Sequence, residues 1–261
     1  MLIDLKSKTA IVTGAGRGIG REIARTLARE GVRVAIFDAS QDLLDDAATE
    51  WEAAGWDGMQ LALDIRDKAA IREAVDAVEQ QFERIDILVN NAGVAGGAKV
   101  ETLDEAMWDV NFDVNMKGMF LVCQAVVPVM KRQRSGRILN ASSYAAITPS
   151  VGGAAYAASK SAVVGFTRVL AGELGPWDVT VNAYAPGMIP TQMNRFADQP
   201  EARKEKLLDT LTLRRWGEAK DVANLICFLS SDLAGYITGT LIDVSGGKYA
   251  TQMPWLAYEQ N

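Results

Sequence analysis

Tyr156 and Lys160 stand four residues apart, at the end of a stretch that opens with Ser143. A helix from Ala154 onward places both side chains on one face. An ammonium beside a phenol favours the phenolate and lowers the tyrosine pKa. A phenol tuned toward neutrality can pass a proton to or from an alcohol. Ser143 lies just beyond the apolar run Arg137 to Ala141, which reads as a buried strand, so its hydroxyl is placed to bond the same alcohol. Tyr-x-x-x-Lys also occurs as an ordinary helix pair, and the rest of the chain must decide. Composition narrows the choice. The sequence has no histidine, which excludes Ser-His-Asp and Cys-His chemistry and the usual His-containing zinc sites; no metal site is expected. Any general acid or base is then Tyr, Lys, Asp or Glu. Cys123 and Cys227 lie in apolar helical stretches and read as small core residues.

A second group of residues has phosphate chemistry. Gly14-Ala15-Gly16-Arg17-Gly18-Ile19-Gly20 joins a short apolar strand, Thr9 to Thr13, to a helix, Arg21 to Glu30; a second strand, Val32 to Phe37, follows. Glycines let the backbone turn sharply and approach a pyrophosphate, and the helix N-terminus supplies free N–H groups and a positive dipole end. Asp38 ends the second strand, where a carboxylate accepts from both ribose hydroxyls of NAD and repels the 2′-phosphate of NADP. Arg17 points the other way, since it could meet that phosphate. Asp64 ends the strand Met59 to Leu63 and can hold an adenine amino group, and Asn90-Asn91-Ala92-Gly93 ends the strand Asp86 to Val89.

The elements that position these residues alternate strand and helix: helices at Gln41 to Ala54 and Lys68 to Phe82, a long one at Leu103 to Lys131, another from Ala154 to Leu174 and one at Asp221 to Leu229. Strands follow at Arg137 to Ser142, Val179 to Ala183 and Gly239 to Val244. This order predicts an α/β fold, a single doubly wound parallel sheet of about seven strands with helices on both faces. Ligands in such sheets lie beyond the carboxyl ends of the strands, where the glycine turn, Asp38, Asp64 and Asn90 to Gly93 sit. Asn115 and Gly118, inside the long helix, are unfavourable there and predict a local distortion that binds a water. One domain is expected over residues 1–261, with a flexible substrate lid at 192–215 and a tail at 248–261 docked on the domain or on a neighbouring subunit. The formal charge of −6 and scattered Lys and Arg predict no nucleic-acid or anionic-membrane surface. No apolar run approaches the roughly 20 residues of a bilayer span, and Met-Leu-Ile-Asp-Leu-Lys-Ser-Lys lacks a signal-peptide pattern, so the expected place is the cytoplasm.

Taken together, Thr13-Gly14-x-x-x-Gly18-x-Gly20, Asn90-Asn91-Ala92-Gly93, Asn115, Ser143, Tyr156-x-x-x-Lys160 and Pro186-Gly187 resemble the short-chain dehydrogenase/reductase family over residues 5–247. The resemblance implies Tyr156 as general acid/base, Lys160 lowering its pKa and binding the nicotinamide ribose, Ser143 orienting the substrate oxygen, and Asn115 holding a relay water. It implies Gly14, Arg17, Gly18 and Ile19 at the pyrophosphate, Asp38 at the ribose, Asp64 and Ile65 at the adenine, and Asn90, Asn91, Ala92 and Gly93 along the cofactor's middle. Pro186, Gly187, Ile189 and Thr191 would cover the carboxamide. A small-molecule alcohol or carbonyl substrate and a homotetramer follow, with Val122, Val126 and Val129 on one helix and Val163, Phe166 and Val169 on another at the two-fold axes. The main expectation is an NAD-dependent polyol or sugar dehydrogenase, because Tyr144, Thr148, Ser150 and Gln192 offer neutral hydrogen-bonding groups. The alternatives are a 3-oxoacyl thioester reductase, against which stands the turn Gly175-Pro176-Trp177 without an arginine, and a non-catalytic NAD-binding regulator. Arg195, Arg203, Arg214 or Arg215 on the lid would serve an anionic substrate.

Overall fold

The computed structural model describes residues 3–194, 196–248 and 250–259. Seven parallel strands form one sheet in the order β3-β2-β1-β4-β5-β6-β7. They are β1 (Thr9–Thr13), β2 (Arg33–Asp38), β3 (Gly58–Ala62), β4 (Ile87–Asn90), β5 (Gly136–Ala141), β6 (Val179–Pro186) and β7 (Leu241–Val244). β1, β4 and β5 are buried throughout, as expected of strands covered on both faces, and their Val, Ile and Leu runs are the sequence signature of that burial. The chain builds outward from β1 through β2 to β3, then returns to place β4 on the other side of β1. The strand order therefore reverses between β1 and β4, and a cleft opens at the carboxyl ends of those two strands.

Helices cover both faces. On one, α1 (Gly18–Arg29), α2 (Gln41–Ala54) and α8 (Ala219–Ser230) bury Ile23, Leu27, Leu44, Trp51, Val222 and Ile226 against the sheet. On the other, α3 (Lys68–Phe82), α5 (Met119–Gln133) and α6 (Ala154–Leu174) bury Ile71, Val78, Val122, Val126 and Leu174. α2 starts on Ser40, whose side chain accepts from Leu43 N, and stops at Gly55 in the left-handed conformation. Asp67 caps α3 by accepting from Ala69 N and Ala70 N.

Where the sequence predicts one helix from Leu103 to Lys131, the structure has three pieces: α4 (Glu105–Phe112), a π turn at Asp113–Gly118, and α5. The distortion expected at Asn115 and Gly118 is that π turn, made possible because Gly118 lets Ile65 pack where a Cβ would stand, 2.7 Å from Ile65 Cδ1. The helical run Glu105–Gln133 is, against the expectation from composition, long and apolar enough to cross a membrane by length and hydropathy alone. Its Val122, Val126, Val129 and Met130 face lies in the core, which is the reason for that apolarity.

The segment 192–215 contains a 3-10 turn at Phe196–Asp198 and α7 (Glu201–Leu208). Its far end is fastened to the loop after β7: Leu213 N donates to Gly246 O at 3.0 Å and Thr212 Oγ1 to Gly247 O at 2.7 Å. Among the described tail residues, α9 (Leu256–Glu259) lies on this segment, with Tyr258 Oη donating to Thr212 O at 2.9 Å.

Candidate active site

The glycine turn is locked from below. Thr13 Oγ1 accepts from Asn91 N and Ala92 N, each at 3.1 Å. Asn91 Nδ2 donates to Thr13 O at 3.3 Å and Gly14 O at 3.2 Å, and its Oδ1 accepts from the buried Tyr184 hydroxyl at 3.3 Å. Gly14 has φ +62°, and a Cβ there would stand 2.7 Å from Ala92 Cα, so two strand ends meet in a space only glycine leaves open. Above the turn the geometry is the opposite. A Cβ at Gly18 would meet nothing nearer than Thr191 Cγ2 at 3.9 Å. Arg17, the residue before α1, offers no side-chain cap to the helix N-terminus, in contrast to Ser40 at α2 and Asp67 at α3. Uncapped N–H groups facing open space fit a dinucleotide pyrophosphate.

Asp38 leans over this turn. Its Oδ2 accepts from Gly16 N at 2.9 Å and its Oδ1 from Ser40 N at 3.1 Å, which fixes a carboxylate at the end of β2. Arg17 does not face it: Nη1 donates to Gln192 Oε1 at 3.0 Å, across to the start of the lid segment. Asp64 is closed onto Arg66, a partner the sequence does not announce, and the guanidinium holds its carboxyl below the usual range. Ile65 is buried against Gly118 of the π turn. On the other side of the cleft, Gly187 N donates to Val244 O at 3.0 Å, and Ile189 is buried. Asn194, missed in the sequence, accepts from Thr191 N at 3.1 Å and donates to Ile189 O at 2.6 Å, which sets the arch from Pro186 to Thr191 over the turn.

The chemical group converges at the carboxyl end of β5. Ser143 is buried, its Oγ accepts from Ala145 N at 3.1 Å, and it is hydrogen-bonded to Tyr156. Lys160 is buried one helical turn on and donates from Nζ to Ala141 O at 2.9 Å. Its backbone carbonyl accepts from Ser142 Oγ at 2.9 Å, so two consecutive serines tie α6 to the strand end from different sides. Asn115 is buried in the π turn. Its Oδ1 accepts from Val94 N at 2.8 Å, and its Nδ2 donates to Val94 O and Ser159 Oγ, each at 3.0 Å. Both of its amide N–H groups are thereby bound to protein, and the side chain acts as a clamp between the loop after β4 and α6. A Cβ on Gly93 would stand 3.0 Å from Asn115 Oδ1 and 3.2 Å from Lys160 Nζ, so Gly93 marks where these two meet the cofactor side of the cleft.

The electrostatics correct one expectation. Where the sequence predicts a Tyr156 pKa lowered by Lys160, burial pushes it up, the Ser143 hydrogen bond works against that rise, and Lys160 is not among the causes. The Lys160 ammonium lies 5.9 Å from the Tyr156 ring centre, and burial lowers its own pKa to about 8. Desolvation at a packed strand end outweighs a cation that is directed at a backbone carbonyl.

A family model described as enoyl-(acyl carrier protein) reductase matches residues 14–248. The 3-oxoacyl-[acyl-carrier-protein] reductase FabG of Thermotoga maritima is 40% identical over 243 residues, 93% of this chain and 98% of that protein. A solved structure of NAD+-bound xylitol dehydrogenase is 29% identical with a TM-score of 0.89, covering 93% of this chain and 99% of that one. Another, of a blue fluorescent protein from a metagenomic library in complex with NADPH, is 34% identical with a TM-score of 0.87, covering 94% and 99%.

Proposed function

The chain belongs to the short-chain dehydrogenase/reductase family, a family of nicotinamide-dependent oxidoreductases acting on CH–OH groups and ketones, and from that premise we propose that it interconverts a 3-oxoacyl compound and its 3-hydroxyacyl partner with NAD. The observation that carries the reaction is the hydrogen-bonded Ser143–Tyr156 pair above buried Lys160. When bound, NAD supplies at nicotinamide C4 the acceptor for the hydride that leaves the carbinol carbon. Ser143 Oγ and Tyr156 Oη bracket the substrate oxygen. In oxidation the Tyr156 phenolate takes the alcohol proton; in reduction the phenol returns it. Lys160 would bind the ribose of the cofactor, and its ammonium keeps positive charge 5.9 Å from the Tyr156 ring centre. Asn115 fixes Val94 and Ser159 beside this pair, and a relay water would have to be held by neighbouring groups, since the Asn115 side chain is itself bound to protein. Gly14, Arg17, Gly18 and Ile19 would hold the pyrophosphate, Asn91, Ala92 and Gly93 the cofactor's middle, Ile65 and, once released from Arg66, Asp64 the adenine, and Pro186, Gly187, Ile189 and Thr191 the carboxamide.

Preference for NAD rests on Asp38, whose carboxylate, fixed at the end of β2, would repel a 2′-phosphate, while Arg17 is turned to Gln192. For the substrate, the curated relatives weigh for a 3-oxoacyl compound over the polyol or sugar that the sequence suggests. The turn at Trp177 weighs less against this than its sequence implies: Arg134 donates to Pro176 O at 3.1 Å and the Lys131 ammonium lies 4.1 Å from the Trp177 ring centre, so cations flank it. The polyol reading keeps one support, the likeness to NAD+-bound xylitol dehydrogenase. The test is kcat/KM for acetoacetate and acetoacetyl-CoA against xylulose, each with NADH and NADPH. Faster turnover of xylulose returns the reading to polyols, and faster turnover with NADPH refutes the role of Asp38.

A further inference from the structure

Of the lid arginines that the sequence offers to an anionic substrate, Arg195 lies outside the described residues. Arg214 is paired with Glu205 and Asp209, Arg215 with Asp221, and Arg203 is exposed on α7. A different cation reaches the cleft. Lys248 follows Gly246 and Gly247, both at positive φ, beyond the carboxyl end of β7, on the sheet edge that also carries Ser143 and Pro186. The turn bends its side chain back over the site. Nζ lies 5.6 Å from the Tyr144 ring centre and donates to Thr210 Oγ1 at 2.6 Å. Tyr144 is the neighbour of Ser143 in sequence and is near enough to Tyr156 to act on its titration. Lys248 therefore stands one aromatic ring away from the acid/base pair, between that pair and the lid segment.

Lys248 is half-buried, and among the described residues no carboxylate lies within ion-pair distance of it. Burial lowers its pKa and no acidic group opposes the shift. An ammonium carries three donors; Thr210 takes one, leaving two further donors and an uncompensated charge on a half-buried side chain. A polyol hydroxyl would accept a hydrogen bond and leave the charge as it is. A phosphoryl group, with about two charges, would call for a second free cation, and the neighbouring Arg214 and Arg215 are already paired. A single carboxylate matches one charge and two donors; Thr210, whose own proton goes to Leu207 O at 2.6 Å, serves to hold the ammonium in place.

We propose that Lys248, held in place by Thr210, forms a carboxylate-binding subsite, so that the substrate is a free oxo or hydroxy acid, its carbonyl at Tyr156 and its carboxylate at Lys248, and not the corresponding thioester. This rests on the oxidoreductase reading of the same site and fixes the acyl end that reading leaves open. Calorimetric titration of the NADH complex with butyrate and with butyramide tests binding without turnover. Butyrate is expected to bind about tenfold or more tighter than butyramide. Lys248→Met abolishes that difference, Lys248→Arg keeps most of it, and all variants bind NADH as the parent does, which shows that they are folded. Equal binding of the two probes, no butyrate binding, or butyrate binding unchanged in Lys248→Met overturns the subsite. In turnover, 3-hydroxybutyrate should show a raised KM and a retained kcat in Lys248→Met, with its methyl ester unaffected; a parent enzyme that prefers 3-hydroxybutyryl-CoA to the free acid overturns the assignment. Any of these failures leaves the Tyr156 reaction standing, since that is read separately from loss of NAD-dependent turnover in Tyr156→Phe.

Discussion

Two opposed influences act on the Tyr156 phenol: burial raises its pKa and the Ser143 hydrogen bond lowers it. Phenylalanine keeps the ring's packing, so Tyr156→Phe removes the proton donor together with its hydrogen bond to Ser143. We expect kcat to fall by about 10²–10⁴-fold with NADH affinity retained, measured by steady-state kinetics and NADH fluorescence titration. Retained turnover would move the acid/base elsewhere. Lys160 gives a second expectation, and its sign follows from linkage. Its pKa falls from 10.5 to about 8 on folding. Below about 8 both states are protonated and folding bears the full cost of burying the ammonium. Between about 8 and 10.5 the unfolded chain binds more protons, so this group's penalty shrinks as pH rises. Lys160→Met should therefore be inactive yet melt about 2–4 °C above the parent at pH 7, an advantage that narrows as pH rises from 8 toward 10.5. Melting curves across that range decide it. At this scale Tyr156, Lys160, Ser143, Gly14 and Asp38 become candidates in the sequence through their order and spacing taken together with strand ends. It does not display Asn194, Arg66 or Lys248, because what each does depends on which distant segment the fold brings beside it.

At the scale of elements, the π turn at Asp113–Gly118 is the least expected feature with the clearest cause. Asparagine and glycine within a helix announce a distortion, but its form is set by partners far along the chain: Val94, 21 residues before Asn115, and Ser159, 44 residues after it. Asn115→Ala leaves the half-buried Val94 N–H and carbonyl without their partners. A loss of about 1–3 kcal/mol is expected, with a melting temperature lower by several degrees. Because the same clamp sets the distance between the loop after β4 and Lys160, turnover should fall more than stability alone explains. Asn115→Asp separates these effects, since it keeps an acceptor for Val94 N–H and loses the donors to Val94 O and Ser159. A variant with parental activity would make the turn a structural detail without bearing on the site.

For the whole molecule, alternation of strand and helix is enough to predict a parallel sheet, and glycine turns at strand ends are enough to predict which edge holds the ligand. The outer surface is less readable. The valines that suggest subunit contacts in the sequence, Val122, Val126, Val129 and Val163, are buried in the monomer's own core, because a helix that covers a sheet needs a wide apolar stripe. Of the residues the sequence offers, Val169 on α6 stays exposed, at 62%, and it is joined on this side by Trp108 at 40% and Phe120 at 39%. Trp108 stacks on Phe112 at 4.9 Å and Phe120 meets Phe166 edge-on at 6.3 Å, so they form organised aromatic pairs across α4, α5 and α6. Large apolar side chains gathered on one face mark a contact surface. We propose a homotetramer in which this face pairs across a two-fold axis, where each residue meets its own copy's neighbourhood. Trp108→Glu combined with Phe120→Glu places like charges at that axis and should reduce the sedimenting mass toward the 28.2 kDa protomer while the melting transition remains cooperative. A parent protein that already sediments as a 28.2 kDa species removes the tetramer, and a double variant of unchanged mass moves the contact to another face.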